Sequence, residues 1–388
     1  MRILQRYFAV SITQAVAFVL VALLALLAFM DLTGELPSVG ENGYGIGHAF
    51  LYVLILVPGH VYEVMPIAAL VGTIYTMAQF ASTSEFTIMR ASSMSTAKAA
   101  WMLFRIGVGF VIITFIFGEL IAPRTAPLAA KIKLSARGAA LSQEFRSGLW
   151  TKDLLKNDGL SGTTIGSRFF NVREARIDGE LVGVKLYEFD SGMRLRALTV
   201  AARATYLGEN TWRLFDVTET RFSNSAVATG AEANAGNNFS HENSMVSTVK
   251  SASKDMVSEI TPKILSVSTS DPDRMSANEL AVYTRHLSEN KQEAERFKIA
   301  FWKKLIDPLS IFVLMALALP FAYLHTRSGG VSLKIFVGIM IGVSFILINT
   351  LFSHLGLLST WPAFVTVITP SALFLMLALG ALWWVERH

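Results

Sequence analysis

The sequence has no cysteine among its 388 residues. A disulfide framework and a thiolate metal site are therefore excluded, and the absence suits a protein of the bacterial envelope. Charged residues are also scarce, at 16% of the chain, against about 25% in typical soluble proteins. Hydrophobic residues make up 52% and are clustered, which favours membrane spans over one large soluble core.

Motifs for the common chemistries are missing as well. The sequence lacks G-x-x-x-x-G-K-S/T, so it cannot bind a nucleotide through a P-loop. It also lacks H-E-x-x-H and the nucleophile elbow, and its seven histidines include no pair at metal-ligand spacing. We therefore expect no catalytic residue, no metal, no cofactor and no nucleic-acid partner.

Six apolar stretches are long enough to cross a bilayer, which requires about 20 apolar residues per helix. They are Ala9–Met30, Leu51–Phe80, Trp101–Ile121, Phe301–Leu324, Val331–Phe352 and Trp361–Trp384. The first is longer than a cleavable signal segment and is interpreted as a retained helix. One polar block separates the first three spans from the last three. The predicted domains are 1–124 and 299–388, each with three spans, and 125–298 outside the membrane.

The distribution of positive charge predicts an orientation. No Lys or Arg occurs between Arg6 and Arg90, so the loop after span one carries only acids. Positive residues near the span ends include Arg90, Lys98, Arg327 and Arg387. Since short cytoplasmic loops are enriched in Lys and Arg, both termini are expected in the cytoplasm and the polar block in the periplasm.

The polar block reads as an all-β domain. Strands are predicted at Gly162–Val172, Leu181–Asp190, Leu195–Tyr206 and Thr211–Phe222. Short strands with turn signals between them indicate a β-sandwich or jelly roll, so the predicted fold class is an α-helical membrane protein with a periplasmic jelly-roll-like domain. Composition leaves two roles open: a folding module, or a docking platform that uses its sheet edges.

Two other segments of this block have a distinct character. Ala226–Asn243 is rich in Ala, Asn, Gly and Ser, and is expected to be a flexible loop. Ser276–Phe297 is predicted to be helical, with Ser276 as its N-cap. The exit from span three is also expected to be an amphipathic helix.

The predicted cytoplasmic loop between spans two and three contains a short helical segment at about residues 82–95. Ser82 and Glu85 have the S-x-x-E spacing of a capping box. Phe86, Met89 and Arg90 then share one side of the helix. In one interpretation, Glu85 only caps its own helix. In the other, the helix inserts into a groove of a cytosolic partner and transmits the motion of that partner. The two interpretations are compatible.

Several motifs, distributed in order along the whole chain, are shared with one family. They are Arg6-Tyr7, Phe29-Met30-Asp31, Pro66–Gly72, Ser84–Ala91, Gly118–Pro123 and Gly148–Asp153. The segment S-E-x-x-x-M-R-A is the most specific of them. With these motifs and this layout, the chain resembles the lipopolysaccharide-export permease family of LptF and LptG, and is more similar to the LptG branch.

The resemblance implies one permease subunit of an ABC exporter for lipopolysaccharide. It also implies four protein partners: a paralogous LptF-like permease, a cytosolic LptB-like ATPase dimer, a single-span LptC-like protein and a periplasmic LptA-like bridge. ATP hydrolysis by a separate chain agrees with the absence of a P-loop motif from this sequence. In the family, the helix matching Glu85, Phe86, Met89 and Arg90 meets the ATPase, and the β-domain joins the bridge by edge-to-edge strand pairing.

The chain departs from the family at the outer end of span one. Family members often carry basic residues there, whereas this sequence reads Gly34-Glu35-Leu36-Pro37. Arg124, Lys131, Lys133 and Arg137, on the exit from span three, are the candidates to replace them against the anionic lipid head. The alternative is that they are ordinary solvated charges.

Other functions stay open at this point. The chain could belong to an exporter of another envelope lipid, or could be a non-transporting scaffold for a periplasmic partner; an intramembrane enzyme has no visible catalytic constellation. A copurifying cytosolic ATPase would favour an exporter, and its absence a scaffold. For an exporter, spans one, two and five supply apolar surfaces that could line a lipid cavity.

Overall fold

A computed structural model of the chain describes residues 2–40, 43–91, 94–137, 148–158, 161–176, 179–222, 246–262, 264–265, 271–290, 292–323, 331–359 and 361–387. The chain divides into two compact units. The helical unit comprises Met1–Lys133, Asp271–Ser288 and Gln292–His388. The β unit comprises Leu134–Ser270 with Glu289–Lys291.

All six predicted spans are present as helices of sufficient length and apolarity. Their bounds are Ile3–Ser38, Ile46–Ser82, Thr96–Lys133, Glu295–Ala322, Val331–Leu358 and Ala363–Val385. The continuous α-helices are α1 (Arg2–Glu35), α2 (Ile46–Ser82), α3 (Glu85–Ala91), α4 (Thr96–Phe115), α5 (Ala122–Arg137), α6 (Ala277–Glu289), α7 (Glu295–Ile306), α8 (Ser310–Ala318), α9 (Val331–Leu358) and α10 (Ala363–Arg387).

Span two lies at the centre of the helical unit. It packs against spans one, three, four and five, and half of its most apolar window is buried (50%), a share exceeded by span four at 67%. Small residues allow this packing: Ala68, Ala69 and Gly72 are buried, and a Cβ on Gly72 would lie 2.7 Å from the backbone of Val16 in span one. Close backbone approach of this kind is the usual basis of helix association in membranes.

Span three contains a π-helical segment, Ile116–Ile121, between α4 and α5. Gly118 lies in it, and a Cβ at that position would be 2.4 Å from Cδ2 of Tyr62 in span two. A π-helical turn disturbs the regular pattern of backbone hydrogen bonds. Lys304 of span four, which is only 3% exposed, donates from Nζ to the carbonyl oxygen of Gly118 at 3.3 Å. Its ammonium also lies 4.5 Å from the centroid of the Tyr62 ring.

The β unit confirms the predicted strands and adds two more. The strands are β1 (Leu149–Asp158), β2 (Ser161–Ala175), β3 (Leu181–Asp190), β4 (Leu195–Gly208), β5 (Thr211–Phe222) and β6 (Val246–Val257). They form one open antiparallel sheet in chain order, with β1 and β6 at its edges. The predicted loop Ala226–Asn243 lies outside the described residues.

Curvature of this sheet encloses its apolar interior. Phe170, Leu186, Trp212 and Leu214 are each at most 2% exposed. The indole Nε1 of Trp212 donates to the carbonyl oxygen of Ile260 at 2.6 Å, which satisfies the one polar atom of that ring. The sheet bends far enough for a residue of β2 to reach β6.

Polar contacts join strands that are far apart in the sheet as well as neighbouring strands. Arg168 on β2 donates to the carbonyl oxygen of Val257 at the end of β6, at 3.1 Å. Asp153 on β1 is 1% exposed and accepts a hydrogen bond from Ser258 Oγ at 2.6 Å. Arg213 and Asp255 pair across β5 and β6 through two 2.8 Å hydrogen bonds, and these hold the pKa of Asp255 below its usual range.

The predicted cap at Ser276 is confirmed. Ser276 Oγ accepts from the backbone nitrogen of Glu279 at 3.2 Å, and Glu279 Oε2 accepts from the backbone nitrogen of Ser276 at 3.1 Å, which is a capping box. Glu119 of span three accepts from the backbone nitrogen of Ala277 with both carboxylate oxygens, at 3.0 Å each. A carboxylate is favourable at a helix N-terminus, so Glu119 joins span three to α6.

The contact between Gly118 and Tyr62 leads to a stability prediction. Gly118→Ala places a methyl group where the Tyr62 ring lies, and overpacking of this kind costs about 1–3 kcal/mol. Its thermal unfolding midpoint in detergent is expected to fall. Gly109→Ala is the matched control, because a Cβ there meets nothing within 4 Å and its midpoint should be unchanged or slightly raised. Equal midpoints for the two variants would contradict the proposed steric role.

Candidate coupling helix and outer span ends

Two residues, Thr83 and Ser84, separate the end of span two from the start of the short helix α3. Its expected capping box does not form, because Ser82 lies in the last turn of span two and its Oγ donates to the carbonyl oxygen of Gln79 at 2.8 Å. Ser84 instead makes the turn with a φ of +59°, and its carbonyl oxygen accepts from the backbone nitrogen of Ile88 at 3.1 Å. The chain therefore changes direction within Thr83-Ser84.

Glu85, at the start of α3, is held by two hydroxyl groups. Tyr7, near the start of span one, donates from its hydroxyl to Oε2 at 3.0 Å. Thr83 donates from Oγ1 to Oε1, also at 3.0 Å. Glu85 therefore ties the start of α3 to span one, a role that its position in the sequence did not indicate.

Phe86 and Met89 face inward, as they are 2% and 7% exposed. Both belong to the main apolar cluster of the helical unit. They anchor α3 to its own protein, so the side of the helix expected to enter a partner is not the side that is exposed. Sequence periodicity placed these residues together correctly but could not tell an inward face from an outward one.

The exposed side of α3 carries Ile88, which is 64% exposed, together with Thr87 and Arg90. Arg90 is not free of contacts, since its Cζ lies 4.8 Å from the centroid of the Tyr323 ring. The sequence analysis did not predict Ile88 as a site residue. The available signal was that this apolar residue does not share the helical side of Phe86 and Met89.

At the opposite end of the helical unit, Lys133 approaches the end of span one. Its Nζ lies 2.7 Å from Glu35 Oε1 and 5.0 Å from the centroid of the Tyr52 ring. Tyr44 donates to the other oxygen of Glu35 at 3.2 Å. A cation therefore does lie where the sequence showed none, but it is paired with a carboxylate.

The other candidate cations differ from Lys133. Arg124 and Lys131 are exposed, and about two helical turns separate them, so they share one side of α5. Lys133 lies on the other side, against spans one and two. Arg137 belongs to the last turn of α5, but its side chain lies outside the described residues.

A polar cluster links spans one and two near Lys133. His60 is 8% exposed and places Nε2 at 2.6 Å from Asp31 Oδ2 and Nδ1 at 3.2 Å from Glu63 Oε2. Beside it, His60, Tyr62, Glu63 and Lys304 line a cavity of about 20 Å³, which has room for about one water. Among the residues that the structure describes, no cluster of His, Asp and Glu has the arrangement of a metal site.

Comparison with known proteins agrees with this architecture. The sequence profile of the family described as "Lipopolysaccharide export system permease LptF/LptG" matches residues 6–386. The lipopolysaccharide export system permease protein LptG of Escherichia coli is 27% identical over 381 residues, which cover 98% of each chain. The protein of the same name from Haemophilus influenzae is 27% identical over 382 residues, covering 98% of this chain and 97% of the relative.

The profile match and the similarity both extend over nearly the whole chain, through the six spans and the inserted β unit. The chain therefore belongs to the LptF/LptG family of lipopolysaccharide export permeases.

Proposed function

We propose that this chain is an LptG-like permease subunit of an ATP-driven exporter, which extracts lipopolysaccharide from the inner membrane and passes it to a periplasmic bridge. The observation that carries the proposal beyond family membership is α3, whose buried side is anchored in the permease while Ile88 faces outward. Such a helix can receive a push from a separate ATPase and deliver it to the spans.

The proposed partners follow from the family. They are a paralogous LptF-like permease, a cytosolic LptB-like ATPase dimer, a single-span LptC-like protein and an LptA-like bridge. Edge strands β1 and β6 offer the backbone groups that strand pairing with a bridge would use. Spans one and five expose most of their apolar surface, which suits contact with lipid or with the second permease.

The proposed orientation places both termini in the cytoplasm and the β unit in the periplasm. Contacts of Glu85 with Tyr7 and of Arg90 with Tyr323 bring the start of span one, helix α3 and the end of span four together, with the cation Arg90 among them. The β unit is inserted after Lys133, whose partner Glu35 lies at the other end of span one. This separation supports the assignment made from the charge distribution.

The mechanism has a clear physical requirement. Each buried CH₂ group of an acyl chain stabilises membrane residence by about 0.8 kcal/mol, so extraction needs an energy source and an apolar cavity. In the proposal, closure of the ATPase moves α3, and α3 moves the spans that line the cavity between the two permeases. The cavity then narrows and the lipid moves toward the β unit.

Ile88 is the proposed apolar contact with the ATPase. Ile88→Glu should lower ATPase binding by about 10–100-fold, because fully burying an Ile side chain contributes roughly 1.5–3 kcal/mol. Copurification and a titration with isolated ATPase measure this. Ile88→Leu is the conservative control and should bind nearly normally. Full binding by Ile88→Glu would remove Ile88 from the interface.

Glu85→Lys is expected to uncouple or detach the ATPase while the subunit stays in the membrane. The substitution replaces the acceptor of the Tyr7 and Thr83 hydroxyls with a cation. Glu85→Gln retains an acceptor oxygen and should behave much closer to the native protein. Normal ATPase assembly and lipid export in Glu85→Lys would count against the coupling role.

Gln substitutions of the four cations on the exit from span three should have two different effects, one on lipid crosslinking and one on thermal stability. Lys131→Gln and Arg124→Gln should weaken crosslinking to lipopolysaccharide with little change in thermal stability, because both side chains are exposed. Lys133→Gln should lower thermal stability, since it leaves the buried Glu35 carboxylate without its cation. Arg137→Gln completes the series. Unchanged crosslinking in all four single variants and in their combination would show that these are ordinary surface charges.

Copurification also distinguishes the remaining alternatives. A bound cytosolic ATPase with another envelope lipid would redirect the proposal to a different cargo. A native permease that never binds an ATPase would favour a scaffold.

A further inference from the structure

One aromatic side chain connects three parts of the helical unit that are far apart in the sequence. Tyr323 follows the last turn of span four, and its ring meets Phe86 edge-on with centroids 5.0 Å apart. The guanidinium carbon of Arg90 lies 4.8 Å from its centroid. Its hydroxyl lies 2.7 Å from Oγ1 of Thr96, the first residue of α4.

The groups that meet at Tyr323 have little freedom to move. Its own backbone nitrogen donates to the carbonyl oxygen of Pro320 at 3.0 Å, and the turn before it, Leu319–Ala322, is buried. Phe86 is 2% exposed. Displacement of α3 alone would therefore break the packing of Phe86 and Arg90 against the Tyr323 ring.

Helix α3 cannot set its own direction. It spans 7 residues, Glu85–Ala91, and isolated helices shorter than about 12–15 residues are marginal in water. Its covalent link to span two is the Thr83-Ser84 turn, in which Ser84 is left-handed. The direction of α3 therefore depends on the side chains that hold it.

We infer that Tyr323 is a positioning residue that makes α3, the start of span three and the end of span four move as one body when a cytosolic partner displaces α3. The inference rests on the proposed function. Its two components are separable: the ring holds Phe86 and Arg90, and the hydroxyl holds Thr96.

The link from α3 to span one is of a different kind. Tyr7 holds Glu85 through one hydrogen bond that is open to solvent, and water competes for such bonds. Phe86 and Tyr323 are held by packing, to which the hydrophobic effect adds. Displacement of α3 is therefore expected to carry spans three and four while the contact with span one opens.

The absence of cysteine allows a direct test by paired spin labels. Cysteines replace Thr87 on α3 and Leu309 in span four, both of which are exposed. The distance between labels is measured by pulsed electron paramagnetic resonance in the complex with its ATPase, with and without bound nucleotide. It should stay constant in the native background and shift or broaden by about 2 Å or more in Tyr323→Leu.

Two matched variants accompany this measurement. Tyr323→Phe keeps the ring and should behave like the native protein in the α3-to-span-four distance. Tyr75→Leu removes a tyrosine of span two that is 41% exposed and should have no effect. A nucleotide-dependent shift in the native background, or no shift in Tyr323→Leu, would overturn the inference.

Coupling efficiency gives a second readout. Lipid released per ATP hydrolysed should fall at least about fivefold in Tyr323→Leu, with ATPase binding retained, and Tyr323→Phe should restore most of it. An unchanged ratio in Tyr323→Leu would count against the inference even if export were slower.

Hydrogen–deuterium exchange separates this inference from the proposed function, because it needs no ATPase. In the permease alone, Tyr323→Leu should increase amide exchange in Glu85–Ala91. If Tyr323→Leu does not accumulate, Tyr323→Phe and Thr96→Val remain, and both should raise exchange at the start of α4 by the same amount. Unchanged exchange in these variants would refute the positioning role, whereas failure of the native permease to bind an ATPase would refute only the proposed function.

Discussion

A backbone donor or acceptor in the hydrocarbon region of a bilayer needs a partner inside the protein, because no water is available there. The π-helical segment of span three shows the effect of this constraint. It lies where Gly118 admits the Tyr62 ring, and the carbonyl oxygen of Gly118 is met by the ammonium of Lys304. A lysine buried in a span is costly, and here it joins spans two, three and four at one point.

Two further polar side chains of the spans also join separate elements. Glu119 accepts from the N-terminus of α6, and His60 connects Asp31 of span one with Glu63 of span two. These residues hold elements together through contacts that they satisfy among themselves.

Sequence patterns predicted the features that depend on local order. The number and order of the spans, the strands Leu181–Asp190 and Thr211–Phe222, and the cap at Ser276 all follow from periodicity or from neighbouring residues, and the structure agrees with them. The same reasoning located the helix containing Glu85 and placed Phe86, Met89 and Arg90 on one side of it, whereas the structure buries Phe86 and Met89 and leaves Arg90 exposed. That reasoning gave no means of choosing which side would be buried.

Contacts between distant residues could not be read in this way. Thr96 and Tyr323 are separated by 227 positions, and Glu35 and Lys133 by 98, so no spacing rule connects them. The expected capping box failed because Ser82 continued span two, a result of helix length rather than of the S-x-x-E motif. Lys133 was predicted as one of four equivalent cations, but its position against Glu35 sets it apart.

The close approach of Gly72 to the backbone of Val16 also restricts where a lipid can travel. Where two helix backbones are in contact, an acyl chain has no room to pass between them, so this crossing of spans one and two acts as a closed wall. Spans one and five, by contrast, leave most of their apolar surface uncovered by the helical unit. The glycine that permits close packing thus also closes the groove between spans one and two to an acyl chain at that level.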